Sequence, residues 1–157
     1  MLTPRMSVAG LAVLGLVVLG ACGSDSKSST TAAPVAPAGS AAPGATVSGS
    51  LDAADQTSDG KTITVSTVNI TGSSGFIAVH VDTAGAPGPV VGHAAIPEGD
   101  SKDVVITLDT PVATGVSLWP MLHTDAGTIG TYEFPGPDGP VKNGADIVMK
   151  KITVTVG

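Results

Sequence analysis

Thr62-Ile63-Thr64-Val65-Ser66-Thr67-Val68-Asn69-Ile70 is the stretch whose reading decides the fold. Its first half alternates threonine with Ile63 and Val65, the period-2 pattern of a strand with one buried face. The parity then slips, because Val68 and Ile70 fall on the opposite count. A bulge near Ser66-Thr67 restores a single apolar face. The next run, Phe76 to Asp82, places Ile77, Val79 and Val81 on one side and Phe76, Ala78, His80 and Asp82 on the other. Val90 to Ile96, Asp103 to Leu108, Val116 to Thr124, Thr128 to Phe134 and Ile147 to Val156 are further candidate strands. Turn signals separate the runs, at Ser58-Asp59-Gly60, Gly72 to Gly75, Gly85 to Pro89, Pro97 to Asp100 and Pro135 to Pro140. Short strands at roughly ten-residue spacing, with no helical period, predict an all-β fold: a single antiparallel β-sandwich of immunoglobulin or cupredoxin type over residues 46–157. A closed barrel is the alternative topology.

Upstream of the domain the composition changes twice. Arg5 supplies a short positive region, and Val8 to Leu19 is apolar but for Gly10 and Gly15. A helix of about a dozen residues rises roughly 18 Å, too short for a hydrocarbon core of roughly 30 Å. Residues 1–21 therefore read as a signal peptide. Leu19-Gly20-Ala21-Cys22 follows directly and resembles the lipobox of bacterial lipoproteins; Cys22 is the only cysteine in the chain. The resemblance implies that Cys22 carries a thioether-linked diacylglycerol as the mature N-terminus, and two acyl chains give stable anchoring. The alternative is an ordinary signal peptide cleaved elsewhere. Residues 22–45 then form a tether: a polar Ser/Thr stretch, followed by Ala, Pro, Gly and Ser with a single Val35. Such a segment cannot bury enough apolar surface to offset its ordering entropy. Flexible, it spans about 25 Å.

Composition limits function. The formal net charge of −6 becomes −7 once Arg5 leaves with the signal peptide, and Lys150-Lys151 is the densest basic pair. Nucleic acid is not an expected partner, since phosphate neutralisation requires a basic footprint. The expected contact is with a membrane through the lipid at Cys22, on the extracytoplasmic face. No Gly-x-Ser-x-Gly, Ser-x-x-Lys or His-Glu-x-x-His motif occurs. An envelope hydrolase is the weaker expectation for that reason, and because few aromatics are available to line a deep pocket.

The domain echoes itself. His80-Val81-Asp82-Thr83-Ala84-Gly85 resembles His123-Thr124-Asp125-Ala126-Gly127, each a strand end entering a turn. Residues two apart share a strand face, so each His sits beside its Asp. In one reading each Asp closes its strand by accepting hydrogen bonds from the turn, with the His a half-buried neighbour. In the other, the two strand ends meet and converge two imidazoles and two carboxylates on zinc or copper. Met121 shares the face of Trp119, His123 and Asp125, and its thioether would suit copper; it equally suits packing. The candidate metal residues are thus His80, Asp82, Met121, His123 and Asp125. A shared site requires the two imidazoles to lie within about 8 Å, allowing for two metal–nitrogen bonds of about 2 Å. A blue-copper centre is excluded, because it needs a thiolate and the one cysteine is assigned to lipid. His93 has no ionisable neighbour in sequence and reads as a strand-surface residue. Asp125, Gly130 and Glu133 match positions 1, 6 and 9 of a calcium loop, but Gly127, Ile129 and Gly136 stand where oxygen ligands belong.

Several separated segments agree in order with one family. Asp55-Gln56-Thr57, Gly75-Phe76-Ile77-Ala78-Val79-His80, His123-Thr124-Asp125 and Phe134-Pro135-Gly136-Pro137-Asp138-Gly139-Pro140 resemble an uncharacterised domain of secreted and surface-anchored archaeal and bacterial proteins. The resemblance covers about residues 53 to 156. It implies a β-sandwich on a surface protein and no particular activity. The expectation is a lipid-anchored cell-envelope protein whose sandwich is a non-catalytic binding or structural module without a required cofactor; the alternative is a copper- or zinc-binding envelope lipoprotein.

Overall fold

The structure is a computed structural model, and it describes residues 46–157. The expected signal peptide, Cys22 and the expected tether lie outside the described residues. Ten strands follow in order: β1 (Ser48–Asp52), β2 (Gln56–Ser58), β3 (Thr62–Thr71), β4 (Gly75–Thr83), β5 (Ala86–Ile96), β6 (Gly99–Thr107), β7 (Val116–Thr124), β8 (Lys142–Asn143), β9 (Asp146–Ile147) and β10 (Ile152–Val156). One sheet has the order β1-β3-β6; the other runs β2-β10-β7-β4-β5; β8 and β9 form a small hairpin. All pairings are antiparallel except β2 with β10. The expected sandwich is therefore present, with one parallel pair at an edge.

The core lies between the two sheets. Ile63, Val65, Val68 and Ile70 of β3 are buried with Ile77 and Val79 of β4, Ile106 of β6, Leu118 and Leu122 of β7, and Ile152 and Val154 of β10. Burying each such side chain contributes roughly 1.5–3 kcal/mol before entropy is counted. The parity slip in β3 is real, with Ser66 and Thr67 both exposed between Val65 and Val68. It is matched in the partner strand: β6 slips at Lys102 and Asp103, where Asp103 takes a φ of 50°. Because both strands carry an extra residue, the β3–β6 register is the same on either side of the slip.

Two strand expectations are corrected. Thr128 to Phe134 is not a strand but a series of turns, because side-chain carboxylates collect its backbone N–H groups. Ile147 to Val156 is divided. Pairing along β7 begins at the Met149–Met121 bridge and continues through β10, while Ile147 belongs to the β8–β9 hairpin.

One feature of β4 positions the site. Six consecutive residues, Gly75 to His80, are buried. Ile77 and Val79 face the sandwich core, but Phe76, Ala78 and His80 face away from it, and so do Met121 and His123 of β7. They are buried because the 125–141 segment folds back over the outer face of the five-stranded sheet.

Candidate functional site

The antiparallel register of β4 and β7 sets the layout. Phe76 lies opposite His123, Ala78 opposite Met121, and His80 opposite Trp119. On the far side of β4, His93 of β5 also lies opposite Ala78. His80 and His123 thus emerge four residues apart along the strand pair, with the small Ala78 and the flexible Met121 in the row between. Ala78 leaves room, and both imidazoles lean over it until their ring centres are 5.7 Å apart, with planes inclined by 24°. His80 is 4% exposed and His123 is fully buried.

Both rings are oriented by the backbone. His80 Nδ1 donates to the Gly88 carbonyl at 2.7 Å, and His123 Nδ1 donates to the Asp138 carbonyl at 2.8 Å. A carbonyl can only accept, so the proton of each neutral ring sits on Nδ1 and the lone pair on Nε2. Neither Nε2 has a hydrogen-bond partner, and neither does the Tyr132 hydroxyl beside them. Each buried polar atom left without a partner costs about 1–3 kcal/mol. Burial is also the main cause that holds the His123 imidazole below the usual histidine range; its bond to Asp138 opposes this, and nearby His80 adds to it. Burial first, then the Asp138 carboxylate, pushes the Tyr132 hydroxyl up to about 12.

A lid of aromatic rings closes the outer side. Phe134 meets His123 edge-on at 4.8 Å and His80 at 5.8 Å. Tyr132 packs on Phe76 at 5.2 Å and stacks on His93 at 4.4 Å. The strand-surface reading of His93 holds for its exposure, but its ring forms the rim of this cluster.

The lid segment is shaped by three carboxylates. Asp138, fully buried, accepts from Ala126 N at 2.8 Å, Gly127 N at 3.4 Å and Glu133 N at 2.7 Å. Glu133 accepts from Thr128 N at 2.6 Å. Asp125 accepts from Gly130 N and from Ser74 Oγ, each at 2.9 Å. These oxygens face backbone N–H groups, so no calcium loop is formed by Asp125, Gly130 and Glu133. Asp138, Tyr132 and Phe134 were not among the candidates read from sequence. The Phe-Pro-Gly-x-Asp-Gly-Pro turn was the signal for Phe134 and Asp138; nothing in the sequence singled out Tyr132.

The idea of converging strand ends is corrected. β4 and β7 are antiparallel neighbours, so Asp82 and Asp125 stand at opposite ends of the pair and cannot share an ion. Asp82 accepts from Trp119 Nε1 at 2.8 Å and Gly85 N at 3.0 Å, and pairs with Lys151 at 3.0 Å. Lys151 first, then Trp119 and Gly85, hold its carboxyl below the usual carboxylate range. Of the five candidates, the structure brings His80, His123 and Met121 onto one buried patch and leaves Asp82 and Asp125 to their turns. Among the described residues, no group of three or more His, Cys, Asp or Glu side chains is arranged to hold a metal ion.

The fold and its lid define a class, a β-sandwich module with a covered outer face. The chain belongs to the family described as domain of unknown function DUF7282, whose model matches residues 49–155. It is similar to cell surface glycoprotein 2 of Haloarcula hispanica, 39% identical over 103 residues, covering 65% of this chain and 11% of that protein. It is also similar to cell surface glycoprotein 1 of the same organism, at 34% identity over 103 residues and the same shares. The chain thus spans about a tenth of the length of these relatives. No solved structure matches it.

Proposed function

We propose that this protein is a cell-envelope module, held on the extracytoplasmic face by lipid at Cys22, and that its sandwich binds or supports rather than catalyses. The observation that carries the non-catalytic reading is the use of carboxylates around the histidines. Asp82, Asp125, Glu133 and Asp138 all accept from turn backbone or adjacent side chains. None of them hydrogen-bonds an imidazole; Nδ1 of His80 and of His123 is held by a backbone carbonyl instead, so the histidine–carboxylate pairing that often serves general acid–base catalysis is not formed. The two similar proteins named as cell surface glycoproteins support a surface location. The Leu19-Gly20-Ala21-Cys22 sequence and the tether behind it support lipid as the means of attachment.

Metabolic labelling with radioactive palmitate tests the anchor. The wild-type chain should incorporate label and fractionate with membranes. Cys22→Ala should do neither as a lipoprotein, so equal labelling of the two chains would refute the assignment. A second reading, metal binding by the paired His-x-Asp segments, is favoured by the two orphaned Nε2 atoms. It keeps the histidines and loses the aspartates.

A further inference from the structure

We propose that His80 Nε2, His123 Nε2 and the Met121 thioether form a copper(I) site beneath the aromatic lid. This gives the metal-binding reading a specific ion and is independent of lipid anchoring. The geometry is that of prepared ligands. Metal-binding histidines characteristically donate their other ring N–H to a carbonyl or carboxylate, which fixes the tautomer and aims the lone pair. Both histidines do this through Nδ1, and both Nε2 atoms are buried and unpartnered. With metal–nitrogen bonds of about 2.0–2.1 Å, two imidazoles on one ion have ring centres up to about 6.3 Å apart. The observed 5.7 Å lies inside that limit.

The third donor and the surroundings select the ion. Met121 emerges from the row between the two histidines and is 5% exposed. Residues two apart on a strand lie about 6.7 Å apart, and an unbranched thioether with three rotatable bonds covers such a gap. Two imidazoles and a thioether are a borderline-to-soft set of the kind that favours Cu(I). They are also all neutral. A divalent ion there would be buried without an anionic ligand, which is costly in an apolar surrounding; a monovalent ion carries half that charge. Zinc would need four ligands, and the nearby aspartates are engaged at their turns. Phe134 and Tyr132 exclude the water that would complete a higher coordination number.

The test uses the full chain in detergent with Cys22→Ala, which removes the one thiol. Cu(I), held reduced by ascorbate under anaerobic conditions, is titrated against bicinchoninate as competing chelator. One equivalent should bind. His80→Gln and His123→Gln should each weaken binding by more than about a hundredfold, beyond the range for loss of a supporting partner. Met121→Leu should remove the sulfur shell from the X-ray absorption spectrum and weaken binding about tenfold, while His93→Gln changes affinity less than twofold. Circular dichroism checks that each variant folds. If the histidine variants do not fold, imidazole ¹⁵N resonances of the chain with intact histidines decide: Cu(I) must shift Nε2 of His80 and His123. Unmoved resonances, or affinity unchanged in folded histidine variants, would overturn the site. Stoichiometric binding of Zn(II) but not Cu(I) would overturn the ion and keep the metal reading. Binding of neither would overturn both.

Discussion

The two His-x-Asp segments are nearly the same in sequence and are used in two ways. In β4 and β7 alike, the aspartate closes its strand by accepting from a glycine N–H of the following turn, Gly85 for Asp82 and Gly130 for Asp125. In both, the histidine donates Nδ1 to a carbonyl beyond that turn. The difference lies in what covers each end. The β4 turn leads at once into β5, and Asp82 remains at the surface with Trp119 and Lys151. The β7 turn opens into the long segment that Asp138 gathers over the sheet, and Asp125 is buried at 3% exposure. The imidazoles converge and the carboxylates diverge, because antiparallel pairing sends two like strand ends in opposite directions.

Asp138 is the sharpest way to break this comparison, since only the β7 segment depends on it. Asp138→Ala leaves three backbone N–H groups without their acceptor, and a bond to a charged group contributes about 1.5–3 kcal/mol. A loss of more than about 3 kcal/mol in urea unfolding is expected, together with exposure of Tyr132 to solvent quenchers. Next comes the direct contrast. Asp125→Ala removes a buried acceptor and should cost about 2 kcal/mol. Asp82→Ala should cost less, because its bond to Gly85 is exposed, Lys151 is partly exposed and only the Trp119 bond is half-buried. The reverse order in the same denaturation series would contradict the burial contrast.

His123 contributes a pH dependence. Burial lowers the folded-state pKa of His123, so the unfolded chain binds its proton more readily below about pH 6.5. Stability from the neutral ring is therefore fully present above that pH. It falls on acidification through the interval down to the folded pKa, by at most about 1.4 kcal/mol per pH unit. In a metal-free chain the slope should vanish in His123→Gln; an unchanged slope would assign it elsewhere. The smallest effects should be equal at the two ends. Gly85 and Gly130 have φ of 87° and 82°, and an added Cβ at either meets nothing within 4 Å. Each glycine-to-alanine change should cost about 1 kcal/mol from the backbone alone. Unequal melting shifts would mean that one turn is under further constraint.

Much of this was legible in the chain and some of it was not. The alternation of Ile63 and Val65, the slip before Val68, and the Ile77/Val79/Val81 stripe describe β3 and β4 correctly, because period 2 is a local property of extended backbone. The bulge was legible in β3 alone; its compensation at Asp103 in β6 was not, since it is a property of pairing. Thr128 to Phe134 read as a strand on composition. Nothing local shows that Asp138, several residues further on, takes the N–H groups of Ala126, Gly127 and Glu133. For the same reason Phe76, Ala78 and His80 look like the wet face of β4.

By itself the sequence determined the all-β class, the single cysteine behind an apolar run, the lack of a basic footprint, and the two histidines and one methionine of the buried patch. Tertiary structure alone decided which of them meet. Strand register placed His80 and His123 four residues apart across Ala78, whose small side chain lets both rings lean inward. The 125–141 segment then removed them from water. Partnership across strands and burial by a distant loop are non-local. The residues that create them lie on different strands or in different turns and are joined only when the sheet is paired and the lid is closed.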